Sequence, residues 1–297
     1  MALRDFGILL FVCVVWAFNN IVSKIVVAQW GVPPLFYATV RFALVALVTL
    51  PWLWPRPRPT WRIVTVAMLM GAGNFALLFI GFKTASPSAA SIVVQLGVPI
   101  TTVLSMLMLG EQVRWRRGLG MALTLAGAVV VMWHPTGMSM SFGLWLVAAA
   151  AFAGSLGAVM MKQMEGIRPL QFQAWVGFSS FWPLAVLSAF TEQNQWSTAI
   201  DAGWDFLAAV VFSAIVVSVL GHTFYYALIQ KYEATLISPL TLMTPLFTIV
   251  MGVLITHDHF DGRMAIGAAL ALLGVLIIAL RPNRVMPLLM AIRNRAQ

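Results

Sequence analysis

Apolar runs about as long as a bilayer is thick recur along this chain and leave little between them. A helix rises 1.5 Å per residue and needs about 20 mostly apolar residues to cross hydrocarbon. Ten stretches meet that description: 5–28, 34–54, 61–82, 87–109, 115–133, 141–162, 170–190, 204–229, 235–256 and 263–281. The strings between them, such as "PRPRPTWR", "GEQVRWRRG" and "THDHFDG", are too short to hold an extramembrane domain. Only 9% of residues are charged, against roughly a quarter in a soluble protein. The mean hydropathy is +0.92. The expected class is an all-α polytopic membrane protein whose function lies within the bundle.

The net charge of +9 does not signal nucleic acid, because the basic residues form no single face. They fall in clusters between apolar runs. With the N-terminus inside, alternate loops and the tail collect 14 of the 18 Lys and Arg, leaving Lys24, Arg41, Lys83 and Arg263 in or near the opposite half. The positive-inside rule then places both termini in the cytoplasm. Arg4 precedes an apolar run with no convincing small-residue cleavage site, so the first segment reads as a retained helix rather than a signal peptide. The single cysteine, Cys13, offers neither a disulfide nor a thiolate metal site.

The chain also repeats itself. Pro99 matches Pro245 at a spacing of 146, and Glu111, Gly120 and Gly127 match Asp258, Gly267 and Gly274 at 147. Five helices separate the copies, an odd number, so two membrane-spanning halves would be inverted, with a binding site expected between them near the midplane. The division expected is 1–135 and 136–282, followed by a basic cytoplasmic tail, 283–297.

Trp16, Asn19, Asn20 and Lys24 in the first segment, a Pro and Arg41-Phe42 in the second, and "LGEQVRWRRGLGMALTLAGAVVV" at the fourth and fifth together resemble the EamA family of the drug/metabolite transporter superfamily. The resemblance covers nearly the whole chain in two copies. It implies ten helices in two inverted five-helix repeats around a central cavity, exporting small metabolites, often amino acids. The second copy departs from the pattern. Its "FAGSLGAVMMKQ" keeps Lys162 at the spacing from Gly154 that separates Lys24 from Trp16, but has neither the Trp nor the Asn pair.

Polar groups within a bilayer are costly and usually face a cavity or a partner. Trp16, Asn19, Asn20 and Ser23 recur at i, i+3, i+4 and i+7, one stripe of a helix. Comparable stripes hold Asn74 and Leu78 on the third segment, Gln95 on the fourth, and Ser218, His222 and Tyr226 on the eighth. Of these, all but Ser218, together with Tyr37, Arg41 and Trp175, make up the expected substrate-binding set, and Lys24 and Lys83 are expected at a gate or rim. Helix-to-helix hydrogen bonding would use the same Ser, Thr and Asn residues. Arg41 lies about 7 residues into its helix, roughly 10 Å deep, with no Asp or Glu deep in any segment to pair with it. It suits a substrate carboxylate; a headgroup anchor reached by snorkelling is the alternative.

Pro99 and Pro245 remove a backbone hydrogen bond and are expected hinges. Gly120, Thr124 and Gly127, with Gly267, Ala271 and Gly274, offer small faces for close packing or a dimer contact. His257, Asp258 and His259 sit too close in one loop for a tetrahedral metal site, and no metal or cofactor is expected. A membrane-embedded enzyme lacks a His-Glu-x-x-His pair, and Ser218 and His222 share one helix without an orienting acid. No P-loop is present. The expected activity is secondary export by alternating access across a bacterial inner membrane. The cargo would be amino acids, aromatic or apolar ones given the aromatic content, or similar zwitterions; other metabolites or drugs are the alternative. The protein would act as a monomer or homodimer.

Overall fold

The computed structural model of the chain describes residues 1–110, 115–133, 141–164, 166–232 and 240–279. Every regular element among them is helical. Seven helices are long and apolar enough to cross a membrane, and three shorter apolar helices join them. In chain order they are α1 (Leu3–Gln29), α2 (Pro34–Leu53), α3 (Thr60–Gly81), α4 (Pro87–Leu109), α5 (Trp115–Met132), α6 (Phe142–Met161), α7 (Pro169–Thr191), α8 (Gln195–Val211, Phe212–Gly221 and His222–Lys231 in succession), α9 (Met243–Ile255) and α10 (Gly262–Ala279).

The ends follow local chemistry. Pro34, Pro87 and Pro169 open α2, α4 and α7, where a missing N–H costs nothing. Gly110, at φ +67°, ends α4 in the left-handed conformation that glycine tolerates. Two helix starts are capped by a carboxylate from elsewhere in the chain. Glu192, just past α7, accepts from the backbone N–H of Leu35 and Phe36 at 2.9 and 2.8 Å. Asp258, before α10, accepts from the Ser88 N–H at 2.9 Å and from its hydroxyl. A carboxylate there satisfies orphan donors and meets the positive end of the helix dipole.

Five helices are irregular in their interior or last turns, among them α2, which closes in a 3-10 turn at Leu50–Leu53. α1 ends in a π segment, Ile25–Gln29; α3 contains one at Leu69–Gly73, and α8 a longer one at Phe212–Gly221. α4 is interrupted by a 3-10 turn, Val94–Leu96.

The packing has an internal symmetry. α5 lies on α10, and α2 on α7. α3 packs against α6 and α7, and α8 packs against α1 and α2; α4 packs against α6, and α9 against α1. Exchanging each helix with the one five places along turns this set of neighbours into itself. The small faces close the α5–α10 contact: a Cβ on Gly120 would fall 2.6 Å from the Gly274 carbonyl oxygen, and one on Gly127 would be 2.5 Å from the Ala271 nitrogen. Both glycine faces are therefore spent inside the chain, where van der Waals contact between backbones drives association in lipid.

Candidate functional site

The polar residues converge where α1, α2 and α8 meet, and the π segment of α8 is what assembles them. In a π segment the i, i+5 pair comes into register. The Ser218 hydroxyl accordingly donates to the Ser213 carbonyl at 2.9 Å, and the His222 ring nitrogen Nδ1 lies 3.0 Å from the Val217 carbonyl. A carbonyl only accepts, so Nδ1 carries the proton.

Two chains of contacts start from this segment. In one, the Ser213 hydroxyl donates to Asn19 Oδ1 at 2.8 Å and stands 2.5 Å from the Tyr37 hydroxyl. Ser213 has a single hydrogen, so Tyr37 is the donor to it. In the other, Arg41 Nε and Nη2 donate to the Ser218 hydroxyl oxygen at 3.1 and 3.0 Å. Arg41 is 0% exposed. Its guanidinium carbon sits 4.4 Å from the Phe75 ring centroid and 5.8 Å from those of Phe42 and Phe79. Aromatic faces thus provide part of what a counter-ion would. Among the described residues no carboxylate pairs with Arg41, and its Nη1 has no hydrogen-bond partner.

The neighbouring wall is aromatic. Trp16 lies against His222 and Tyr225, with centroids 5.2 and 4.9 Å apart. Tyr37 stacks on Phe79 at 5.0 Å. On the other flank of α1, the Asn20 amide donates to the Thr248 hydroxyl of α9 at 3.4 Å. The Asn pair is therefore split, Asn19 toward α8 and Asn20 toward α9. Ser23, on the same helix, is fully buried.

Other expected site residues go elsewhere. The Asn74 amide donates 2.7 Å to the Ala150 carbonyl of α6, a helix-to-helix tie. The Gln95 amide donates to the Ser91 carbonyl one turn back, at 3.4 Å. Leu78 is half-buried against the apolar core, and Trp175 is buried in that core with its indole nitrogen unpartnered among the described residues. The Lys24 ammonium donates to the Phe82 carbonyl at the end of α3, at 2.8 Å, while Lys83 is exposed. Pro99 and Pro245 each stand third in the helical section they begin, Gly97–Leu109 and Met243–Ile255. The Tyr226 side chain, Glu111 and the 283–297 tail lie outside the described residues.

The matching contacts on the other side of the pseudo-symmetry carry no charge. Counting from the helix-opening Pro34 and Pro169, Arg41 corresponds to Val176 and Tyr37 to Phe172. Ser218 corresponds to Gly71, and a Cβ on Gly71 would meet Val176 Cγ1 at 2.9 Å. Trp16 against Gly221, where a Cβ on the glycine would be 3.4 Å from the indole nitrogen, becomes Gly154 against Asn74, where a Cβ on the glycine would be 2.8 Å from the amide nitrogen. One scaffold thus carries a polar, cationic cluster on one side only.

Ser213 and Ser218 are the members that helical periodicity misplaces. At 100° per residue the two lie about 140° apart, on different faces; the π segment brings them together, and no residue type announces it.

Known proteins share this scaffold. The EamA-like transporter family matches this chain twice, over residues 5–133 and 141–280. A "Probable amino-acid metabolite efflux pump" of Salmonella typhimurium is 27% identical over 288 residues, covering 93% of this chain and 95% of the relative. A protein of the same description from Escherichia coli is 25% identical, with 93% and 95% covered. A crystal structure 20% identical in sequence shares the fold, with a TM-score of 0.65 over 93% of this chain and 96% of that one. With the two matches taking up most of its length, the chain belongs to the EamA-like transporter family, within the drug/metabolite transporter superfamily.

Proposed function

We propose that this protein exports amino acids or similar small zwitterions across a bacterial inner membrane by alternating access. In this reading all ten helices cross the bilayer, both termini are cytoplasmic, and residues 1–135 and 136–282 form inverted halves. The observation that carries it is Arg41: a fully buried guanidinium with no carboxylate among the described residues, with one N–H pair unsatisfied among them and an aromatic cage around it. A buried cation is costly unless paired, and a substrate carboxylate would supply the partner in bidentate geometry. The Tyr37–Ser213–Asn19 chain lies within the same contact of α1, α2 and α8, and Trp16, His222 and Tyr225 form an apolar wall for a side chain. The relatives described as amino-acid metabolite efflux pumps support this class of cargo.

Arg41 is enclosed, so loading and release require the halves to move. The interruptions before Pro99 and Pro245 are where α4 and α9 would bend, since broken helices are a recurrent feature of transporter sites. Lys24, held on the end of α3, and Lys83 would stand at the rim.

Efflux from proteoliposomes loaded with a panel of labelled amino acids tests the reading. Export of one or more of them faster than from protein-free vesicles is expected, with Arg41→Gln cutting the rate roughly tenfold or more, the usual scale for a lost charge-assisted contact. Arg41→Lys would recover only part, because an ammonium lacks the planar fork. If no amino acid moves, the cargo assignment fails; if Arg41→Gln transports normally, the role of Arg41 fails while the cargo assignment stands.

A further inference from the structure

A second basic site lies beyond the C-terminal end of α2, at the junction of the α2–α3 loop with the start of α7. A recess of about 230 Å³ there is lined by Arg56, Arg58 and Arg62, by Gln163 and Gln171, and by the backbone near Gly166. Prolines at 55, 57 and 59 alternate with the first two arginines and fix φ at each alternate residue. The loop is tied down on both sides: Gln171 Nε2 donates to the Pro55 carbonyl at 2.7 Å, and the Thr60 hydroxyl to the Pro57 carbonyl at 3.0 Å. The arginines are therefore presented on a stiff support.

The surroundings select an anion. α3 begins at Thr60 and α7 at Pro169, and neither start has a side-chain cap, so both positive helix ends face this junction. None of the three arginines pairs with a carboxylate among the described residues; Glu165, in the neighbouring loop, lies outside them. The rim is built for a membrane interface. Trp52, Trp54 and Trp61 are all exposed, with Arg56 over Trp54 and Arg62 over Trp61 at 6.0 and 5.5 Å. Exposed Trp beside Arg is the pattern of headgroup depth, and basic pockets between membrane helices suit phosphate headgroups.

We propose that this recess binds the phosphate of an acidic phospholipid. The test is a titration of the purified full chain, in zwitterionic detergent, with phosphatidylglycerol, phosphatidylcholine or inorganic phosphate, read by thermal unfolding and by native mass spectrometry. Phosphatidylglycerol is expected to raise the unfolding midpoint saturably and to remain bound, while phosphatidylcholine at equal mole fraction does not. The Arg56→Gln/Arg58→Gln/Arg62→Gln variant is expected to bind it at least roughly tenfold more weakly, on the scale of surface cations near anionic lipid, while Arg116→Gln keeps wild-type binding. If the triple variant does not fold, Arg58→Gln alone is titrated, with weakening of several-fold expected. An equal response to phosphatidylcholine, undiminished binding by the arginine variants, or no response at all (a pocket already neutralised by Glu165) overturns the proposal. Equal stabilisation by inorganic phosphate overturns the lipid assignment in favour of a soluble phosphate.

Discussion

Ser213 joins three helices with one hydroxyl. It donates to Asn19 on α1 and receives from Tyr37 on α2, and all three side chains are buried. Replacing it by alanine leaves a phenol without an acceptor and an amide oxygen without a donor. Ser213→Ala is expected to destabilise the fold by about 1–3 kcal/mol, the cost of unsatisfied buried polar groups. Reversible unfolding in mixed micelles measures this. A cycle with Asn19→Ala should give a double variant less destabilised than the sum of the two, since both remove the same bond; strict additivity would contradict the bond. Arg41, by contrast, was legible from sequence alone, because a cation within an apolar run with no deep acid nearby has few places to go. Its Ser218 and Phe75 partners were not, because they come from helices far away in the chain.

α4 and α9 show how one residue type shapes an element. Pro99 and Pro245 lack the N–H that would reach the carbonyls of Gln95 and Thr241, and their rings crowd those oxygens. In α4 the backbone answers with the 3-10 turn at Val94–Leu96, and α9 begins at Met243, directly after a turn at Thr241 and Leu242. Restoring the N–H with Pro99→Ala and Pro245→Ala is expected to make each helix continuous and at least as stable, while slowing export several-fold. Hydrogen exchange across 94–98 and proteoliposome flux check the two halves of that statement. Unchanged flux in the double variant would remove the hinge role. The proline positions were readable in the sequence. The π segments were not: Leu69–Gly73 and Phe212–Gly221 have ordinary helical composition, and neighbouring helices hold them in place.

At the scale of the molecule, α1 is fixed at both ends by unlike ties. Near its start Asp5 accepts from the Lys231 ammonium at 2.6 Å and from the Tyr232 hydroxyl at 2.5 Å, closing α1 onto the end of α8. Near its other end Lys24 holds the end of α3. The pseudo-symmetric counterpart of the Asp5 tie is Gly143 packed on the Gly81 and Thr84 turn, a contact without charge. Of these two counterparts, the Asp5 tie is the one that contains titratable groups. The hydrogen bond to Asp5 raises the Lys231 pKa above its ordinary value. A raised lysine contributes stability fully below the unfolded value of about 10.4 and loses it as pH climbs through the folded one. Thermal midpoints of the wild type should fall more steeply above about pH 10 than those of Asp5→Asn, and parallel curves would deny the tie any role.

What the sequence determined by itself was everything that depends on one-dimensional pattern. Apolar runs of bilayer length defined the helices, and matched Pro, Gly and acidic positions revealed two copies. Glycine faces at 120, 127, 267 and 274 announced close packing or a dimer contact, without naming the partner. The tertiary structure decided which polar side chains join the cluster around Arg41 and which tie helices together. Asn74 looked like Asn19 in sequence, yet one ties α3 to α6 and the other joins the Tyr37–Ser213 chain. The reason is physical. Periodicity gives each side chain a direction relative to its own helix axis, but its partner depends on how helices from the other half are placed and on local departures from 3.6 residues per turn. Those departures put the buried arginine, the serines and the Trp16 wall on one side of a nearly symmetric scaffold.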